Sequence, residues 1–390
     1  MGIRKSALFA ALTLCASGAG AMAPAELSPF VARQIAPKIH MLGTPEDFYA
    51  FAIGNVTLIE QSDGFVLIDS GMTAAHGRTA VAFARSLAPK PIKAVAITHW
   101  HNDHPQGVSA IRDAFPEVRI IATPGTEAGL LGPASFDVGY SPNPKADAAV
   151  AERVAADKVG YQKLLDDPAT APDRKERIKK ALRQFDDYVA DFKGTYIVPP
   201  TETFERELLI DDGDLPVRLM FLGRANTDGD LVAWLPRQRI VATGDIVVAP
   251  YPFGFGSFPA DWVETLGKLK GLGFATLIPG HGDPQAGADY LDKLITTISE
   301  IRSQVGPLAR QGLSLEEVRK RVDLAKVGEL FGTTPRAKAN FQGLFADPMI
   351  EAAHKEALGK PIVQGVPPEG YPDARFTETP PKSTAKRHDR

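Results

Sequence analysis

Cysteine is all but missing from this 390-residue chain, the single one being Cys15. That excludes a disulfide framework and any cysteine-built zinc site. An excess of one charge is missing too: 44 Lys and Arg stand against 47 Asp and Glu, for a formal net charge of −3. No basic face therefore argues for nucleic acid. No internal apolar run is long enough to span a membrane as a helix, and no G-x-S-x-G elbow marks a serine hydrolase. What remains is an ordinary globular composition, 44% hydrophobic and 23% charged, enough for one large domain or two modest ones.

The N-terminus departs from that composition. Arg4 and Lys5 precede an apolar stretch from Ala7 to Ala16, then small residues with Ala19-Gly20-Ala21 or Ala21-Met22-Ala23 as cleavage options. Residues 1–23 read as a secretory signal peptide, which predicts a periplasmic or secreted protein with no membrane attachment after its removal. Cys15 leaves with it.

Beyond it, strands are expected at Lys38–Leu42, Tyr49–Ile53, Val56–Glu60 and Phe65–Ile68, the last running into Asp69-Ser70-Gly71. A helix over about 74–88, a strand at Lys93–Ile97, a further helix and a strand at Val118–Ala122 follow. This is a β-meander followed by βαβ, an α/β pattern. Residues 141–193 break the rhythm. Ile178, Leu182, Phe185, Val189 and Phe192 form an amphipathic stripe, and a breaker segment around Pro168 and Pro172 suggests a helical hairpin. It is read first as a packing appendage, with a lid or a dimer surface as the functional alternatives. Strand signals resume at Thr195–Val198, Glu207–Ile210, 216–222, Leu231–Leu235 and 240–243, with helices at 260–269 and 286–305. The second half thus repeats the first in outline. Ser314-Leu315-Glu316-Glu317 is a capping box that opens a helical C-terminal extension over 306–360. Pro-, Thr- and charge-rich residues 361–390 predict a disordered tail.

The densest chemistry lies in His99-Trp100-His101-Asn102-Asp103-His104, which holds three of the chain's eight histidines. His99 and His101, two apart in a loop, can turn toward one point, while Asp103 and His104 can reach a second. Neutral imidazoles and carboxylates suit Zn²⁺ and related divalent ions. The rest of a ligand shell must come from elsewhere. Asp245 in Thr243-Gly244-Asp245 and His281 in Pro279-Gly280-His281-Gly282 sit at strand ends in matching places of an α/β frame.

At this point the sequence resembles the metallo-β-lactamase superfamily. The His99/His101/Asp103/His104 cluster matches its H-x-H-x-D-H motif, Ile68-Asp69-Ser70-Gly71 its L-I-D-x-G turn, Gly244-Asp245 its bridging aspartate and Gly280-His281-Gly282 its last histidine. The resemblance covers about residues 38–305. It implies an αββα sandwich of two mixed β-sheets flanked by helices, here with 141–193 as an insertion, and metals in the cleft at one edge. It implies that His99 and His101 serve metal site 1, that Asp103, His104 and His281 serve site 2, and that Asp245 bridges. One motif departs: Gly223-Arg224-Ala225-Asn226-Thr227-Asp228-Gly229-Asp230 carries Asn226 where the family places a third site-1 histidine. One or two Zn²⁺ ions are expected, with site 2 the tighter.

Hydrolysis is the chemistry this implies, with Asp103 and Asn226 as candidate catalytic residues. An ester, thioester, lactone or related acyl group is the expected substrate, with weak β-lactamase activity allowed. The alternative is a degenerate metal- or ligand-binding protein with little turnover because of Asn226. A small-molecule substrate is expected, and a dimer through the hairpin is allowed. Four aromatics in Pro250–Phe258 serve as pocket wall or core plug, and Arg224 as a salt-bridge partner.

Overall fold

Two runs of strands, each opening as an antiparallel meander and then turning parallel, build two facing sheets. The structure, a computed structural model, describes residues 29–45, 48–132, 138–364 and 381–389; the signal-like stretch 1–23 lies outside them. The first run comprises β1 (Val31–Ala36), β2 (Ile39–Gly43), β3 (Val56–Glu60), β4 (Phe65–Ile68), α1 (Ala74–Leu87), β5 (Ile92–Ala96), α2 (Val108–Ala114), β6 (Arg119–Ala122), α3 (Pro124–Leu130), α4 (Pro144–Asp166), α5 (Pro172–Phe192) and β7 (Glu202–Phe204). The second comprises β8 (Glu207–Ile210), β9 (Val217–Phe221), β10 (Leu231–Leu235), β11 (Ile240–Ala242), α6 (Pro259–Gly271), β12 (Thr276–Ile278) and β13 (Gln285–Ala286). Helices α7 (Asp289–Arg310), α8 (Leu315–Arg321), α9 (Ala325–Gly328), α10 (Pro335–Phe341) and α11 (Asp347–Ala357) complete the extension, and β14 (Lys386–His388) follows.

Strands β1 to β4 pair antiparallel in sequence order, and β4, β5, β6 and β7 then pair parallel. In the other sheet β8 to β11 pair antiparallel and β11 pairs parallel with β12. Central strands such as β4 and β10 are apolar on both faces because both faces are covered. On β10, Leu231, Ala233 and Leu235 turn into the core between the sheets while Val232 and Trp234 pack toward the helices. On β5, Ala94 and Ala96 face the other sheet while Val95 packs with the helical layer. The order of layers is therefore helix, sheet, sheet, helix: the α/β sandwich expected from the resemblance.

Three elements differ from the sequence expectation. Tyr49–Ile53 makes no strand, because its backbone is bonded sideways: the Tyr49 and Ala50 N–H groups both donate to Gln184 Oε1 on α5, at 2.8 and 3.2 Å. Phe51 stacks on Tyr188 of the same helix at 4.0 Å between centroids. Thr195–Val198 is likewise a loop, held by Ile197 N–H donating to the Gly139 carbonyl. The expected disordered tail needs correction at its end. Lys386–His388 forms β14, which adds parallel to the open edge of β7, where unpaired backbone groups await a partner. Residues 365–380 of that tail lie outside the described residues. The hairpin of α4 and α5 is present, with Phe185, Tyr188 and Phe192 buried in the core below β5 and α1. The capping box at Ser314 closes in both directions.

Candidate metal centre

Matched strand ends bring the ligand-type side chains together. Asp69 follows β4 and the His99–His104 loop follows its parallel neighbour β5; Asp245 follows β11 and His281 follows its parallel neighbour β12. Parallel strands end at the same edge of a sheet, so the loops beyond them converge. Backbone bonds then join the two sheets' edges. Asn55 N–H donates to the Gly280 carbonyl at 2.7 Å and Leu231 N–H to the Thr98 carbonyl at 2.9 Å, while Gly54 N–H ties the Asp103 carbonyl within the first sheet's edge at 3.1 Å.

Six sequence-predicted residues meet there in two sets. One ligand atom each from His99, His101 and Asp245 lie within 4.8 Å of one another, as do those from Asp103, His104 and His281. Asp245 stands between the sets. Its Oδ2 is 3.7 Å from His99 Nε2, while its Oδ1 is 3.3 Å from His104 Nε2 and 3.4 Å from His281 Nε2. Asp103 Oδ2 is 2.9 Å from His281 Nε2, and His99 Nε2 is 2.9 Å from His101 Nδ1. The packing is tight enough to require glycine. A Cβ on Gly280 would lie 2.0 Å from Asp245 Oδ1, and one on Gly54 2.6 Å from His104 Cε1.

Asp69 sets the orientation of the cluster. Its backbone is left-handed, with φ 62°, a conformation aspartate tolerates better than most residues. There its Oδ1 accepts from Thr98 N–H at 2.8 Å, and its Oδ2 lies 2.8 Å from both Thr98 Oγ1 and His104 Nδ1. With Nδ1 so engaged, His104 turns Nε2 toward Asp103 and Asp245. Thr98 Oγ1 lies 3.0 Å from His99 Nδ1 and leaves Nε2 of that ring facing inward in the same way.

The electrostatics follow from burial and from mutual charge. Burial holds His99 well below the ordinary histidine value, and the neighbouring His104 and His101 push the same way. His101 is lowered chiefly by burial, against Asp245 and Asp103. Burial acts on His104 and His281 too, but the carboxylates outweigh it. His104 is held well above its ordinary value by Asp103, Asp245 and Asp69, and His281 is carried up to about 10 by Asp245 and Asp103. Against their own burial, Asp103 and Asp245 are held low by His104 and His281.

The donor set fits a divalent cation. His104 Nε2 and Asp245 Oδ1 are buried, 3.3 Å apart, and make no well-formed hydrogen bond, which suits donor atoms shared with a cation. Nitrogen and carboxylate oxygen donors are what Zn²⁺ takes in the absence of cysteine. Asn226 is fully buried, and both its amide atoms lack partners. The loop that carries it reaches this edge through the Leu231–Thr98 bond.

Sequence reasoning missed three supporting residues. Asn55 Nδ2 donates to the Pro279 and Gly282 carbonyls on either side of His281, both at 2.9 Å; in the sequence it is only half of a Gly-Asn turn. Thr98 directly precedes the histidine cluster, and a threonine at a strand end carries no signal of its own. Gln364, just beyond α11, accepts from Asp228 N–H and donates to the carbonyls of Asn226 and Gly256. No local signal points to it. Arg224 pairs with Asp261 and lies 4.3 Å above the Phe258 ring, which settles it as a salt-bridge partner. Trp100 is buried edge-on against His101 at 4.4 Å and supports the ligand loop from beneath.

Comparison with known proteins agrees with this architecture. A family profile described as "Metallo-beta-lactamase superfamily" matches residues 50–281. The linear primary-alkylsulfatase of Pseudomonas sp. (strain ATCC 19151) is 25% identical over 306 residues, covering 71% of this chain and 51% of that protein. The stereoselective inverting sec-alkylsulfatase Pisa1 from Pseudomonas sp. superposes with a TM-score of 0.55 at 17% identity, over 86% of this chain and 51% of that one. The chain spans about half the length of these relatives.

Proposed function

That the chain belongs to the metallo-β-lactamase superfamily is the premise from which we propose its function: metal-dependent hydrolysis of a sulfate ester of an alcohol. The observation that carries the reading is the pair of three-residue ligand sets that meet at Asp245, with His104 Nε2 and Asp245 Oδ1 buried there in no well-formed hydrogen bond. The likeness to an alkylsulfatase supports the sulfate ester over the carboxylic esters, thioesters and lactones that the ligand motif alone allows.

His99, His101 and Asp245 would hold one ion and Asp103, His104 and His281 a second, with Asp245 shared. A bound divalent ion lowers the pKa of its water toward about 7 and polarises the bond under attack. Around it, Asp69 and Thr98 fix the imidazole tautomers, and Asn55 clamps the loop that presents His281. Asp103, beside His281 and more exposed than Asp245, would orient the attacking water.

Asn226 stands where the family's third site-1 histidine is expected. Its amide oxygen is a weaker and harder donor than imidazole, so the His99/His101 set is the looser of the two. The alternative, a binding protein with little turnover, predicts full metal loading without chemistry. Metal analysis alongside a panel of alkyl sulfates, carboxylic esters, lactones, thioesters and β-lactams tests both. Sulfate release that needs metal and is lost in Asp103→Ala is the expected outcome. A metal-loaded protein inert on the whole panel refutes the hydrolase reading.

A further inference from the structure

Close to the ligand cluster, the segment Pro250–Phe258 divides its aromatics between two tasks. Tyr251 packs on the core beneath α7, and Phe258 is covered by Arg224. Phe253 and Phe255 turn the other way. Phe253 is half-buried with its ring 6.1 Å from that of His101, nearly perpendicular, and Phe255 leans on Phe253 at 4.9 Å. Phe255 is 46% exposed, although few large apolar side chains among the described residues are.

This exposure does not come from a loose loop. Gly254 is buried, its N–H donates to the Leu344 carbonyl at 2.9 Å, and a Cβ there would meet Phe345 at 3.1 Å. Ser257 Oγ closes the turn on the Gly254 carbonyl, and the Gly256 carbonyl is held by Gln364 Nε2 at 2.8 Å. Leu344 and Val363, which flank two of those anchoring bonds, are themselves exposed at 39% and 60%. Leu344 and the neighbour of Val363 are thus bonded to the segment that carries Phe255, and Phe253 of the same segment stands beside a ligand-type histidine. A rigid apolar strip starting at a polar centre suits a ligand with a charged head and an apolar chain.

We propose that Phe253 and Phe255, continued by Leu344 and Val363, form the shelf that binds the apolar chain of the substrate and set the preference for chain length. The inference rests on the hydrolase reading only for where the head group sits. Aromatic faces hold a chain without demanding one conformation of it, so the shelf selects for length rather than branching pattern. Each methylene laid on it gains affinity.

The test is binding of non-hydrolysable n-alkyl sulfonates, hexyl through dodecyl and below micelle formation, to the metal-loaded full chain by calorimetry. Affinity for the parent is expected to rise about two- to fourfold per methylene. In the double variant Phe253→Ser/Phe255→Ser that rise should flatten, with dodecyl sulfonate losing far more affinity than hexyl sulfonate. Leu209→Ser, which removes an exposed apolar side chain on β8, is the control and should keep the parental slope. An unchanged slope in the double variant, or no slope in the parent, overturns the proposal. Hydrolysis of the matching alkyl sulfates is followed in parallel. A slope lost in the double variant without any sulfate release keeps the shelf and refutes the sulfatase reading; brisk release with no dependence on length does the reverse.

Discussion

At the scale of single residues, the cluster depends on groups that are not themselves metal donors. Asp69 is the clearest: one carboxylate in a left-handed turn holds Thr98 and His104 at once. Removing such an orienting partner typically costs ten- to a hundredfold in metal affinity. Asp69→Ala should therefore lower zinc affinity by that factor in competition with a chromophoric chelator, with the fold intact by circular dichroism. Affinity within twofold of the parent would remove Asp69 from this role. Asn55→Ala leaves the carbonyls of Pro279 and Gly282 without their donor, for a loss of about 1–3 kcal/mol in urea unfolding. The ligand-type residues were legible because the local order of side chains shows them: three histidines and an aspartate in six positions need no fold to be noticed. Asn55 and Gln364 were not legible. Each works through partners more than a hundred positions away, and the polar side chain itself is common in any turn.

At the scale of elements, hydrophobic period found most strands and helices, and failed where an apolar run was bonded to something other than a strand. The stretch from Tyr49 to Ile53 has the composition of a strand, yet its N–H groups go to Gln184 and its aromatic ring to α5. The hairpin thus acts at a distance on the site, since the loop it steadies runs directly into Gly54 and Asn55. Gln184→Ala should cost about 1–2 kcal/mol through its two lost acceptor bonds. It should also raise hydrogen exchange at the amides of 49–55 before that of β4 or β5. Equal protection of that loop in variant and parent would show that α5 does not hold it. The edge strand β14 was hidden for a related reason. A charged, three-residue segment carries no strand pattern and pairs only because β7 presents an open edge.

At the scale of the whole molecule, two similar halves face each other and each contributes one set of strand ends, so the centre exists only when both sheets are folded. A buried histidine away from the centre gives the molecule a pH dependence. Burial, helped by Arg78, pushes His76 down to about 3 from an ordinary 6.5, and its Nδ1 accepts from Met72 N–H at 3.1 Å. Below pH 6.5 the unfolded chain takes up a proton there that the folded chain does not. Stability is then lost at about 1.4 kcal/mol per pH unit as pH falls toward 3. His76→Asn, which keeps an acceptor for Met72, should lose about 2 kcal/mol less than the parent between pH 7 and pH 5 in urea unfolding; parallel losses would contradict the assignment. We propose that residues 1–23 direct export, which predicts a mature N-terminus after Ala21 or Ala23, read by sequencing the protein recovered from its host. The overall layering was legible because the sequence repeats its meander and parallel pair. The asymmetry of the centre is the more exposed claim, since it turns on Asn226. The most direct measurement is the metal-to-protein ratio after dialysis against a mild chelator, taken for the parent, for His101→Ala and for His281→Ala. One retained zinc in the parent and in His101→Ala, lost in His281→Ala, is the predicted result. Two tightly held ions in the parent, or a retained ion that survives His281→Ala and leaves with His101→Ala, would contradict it.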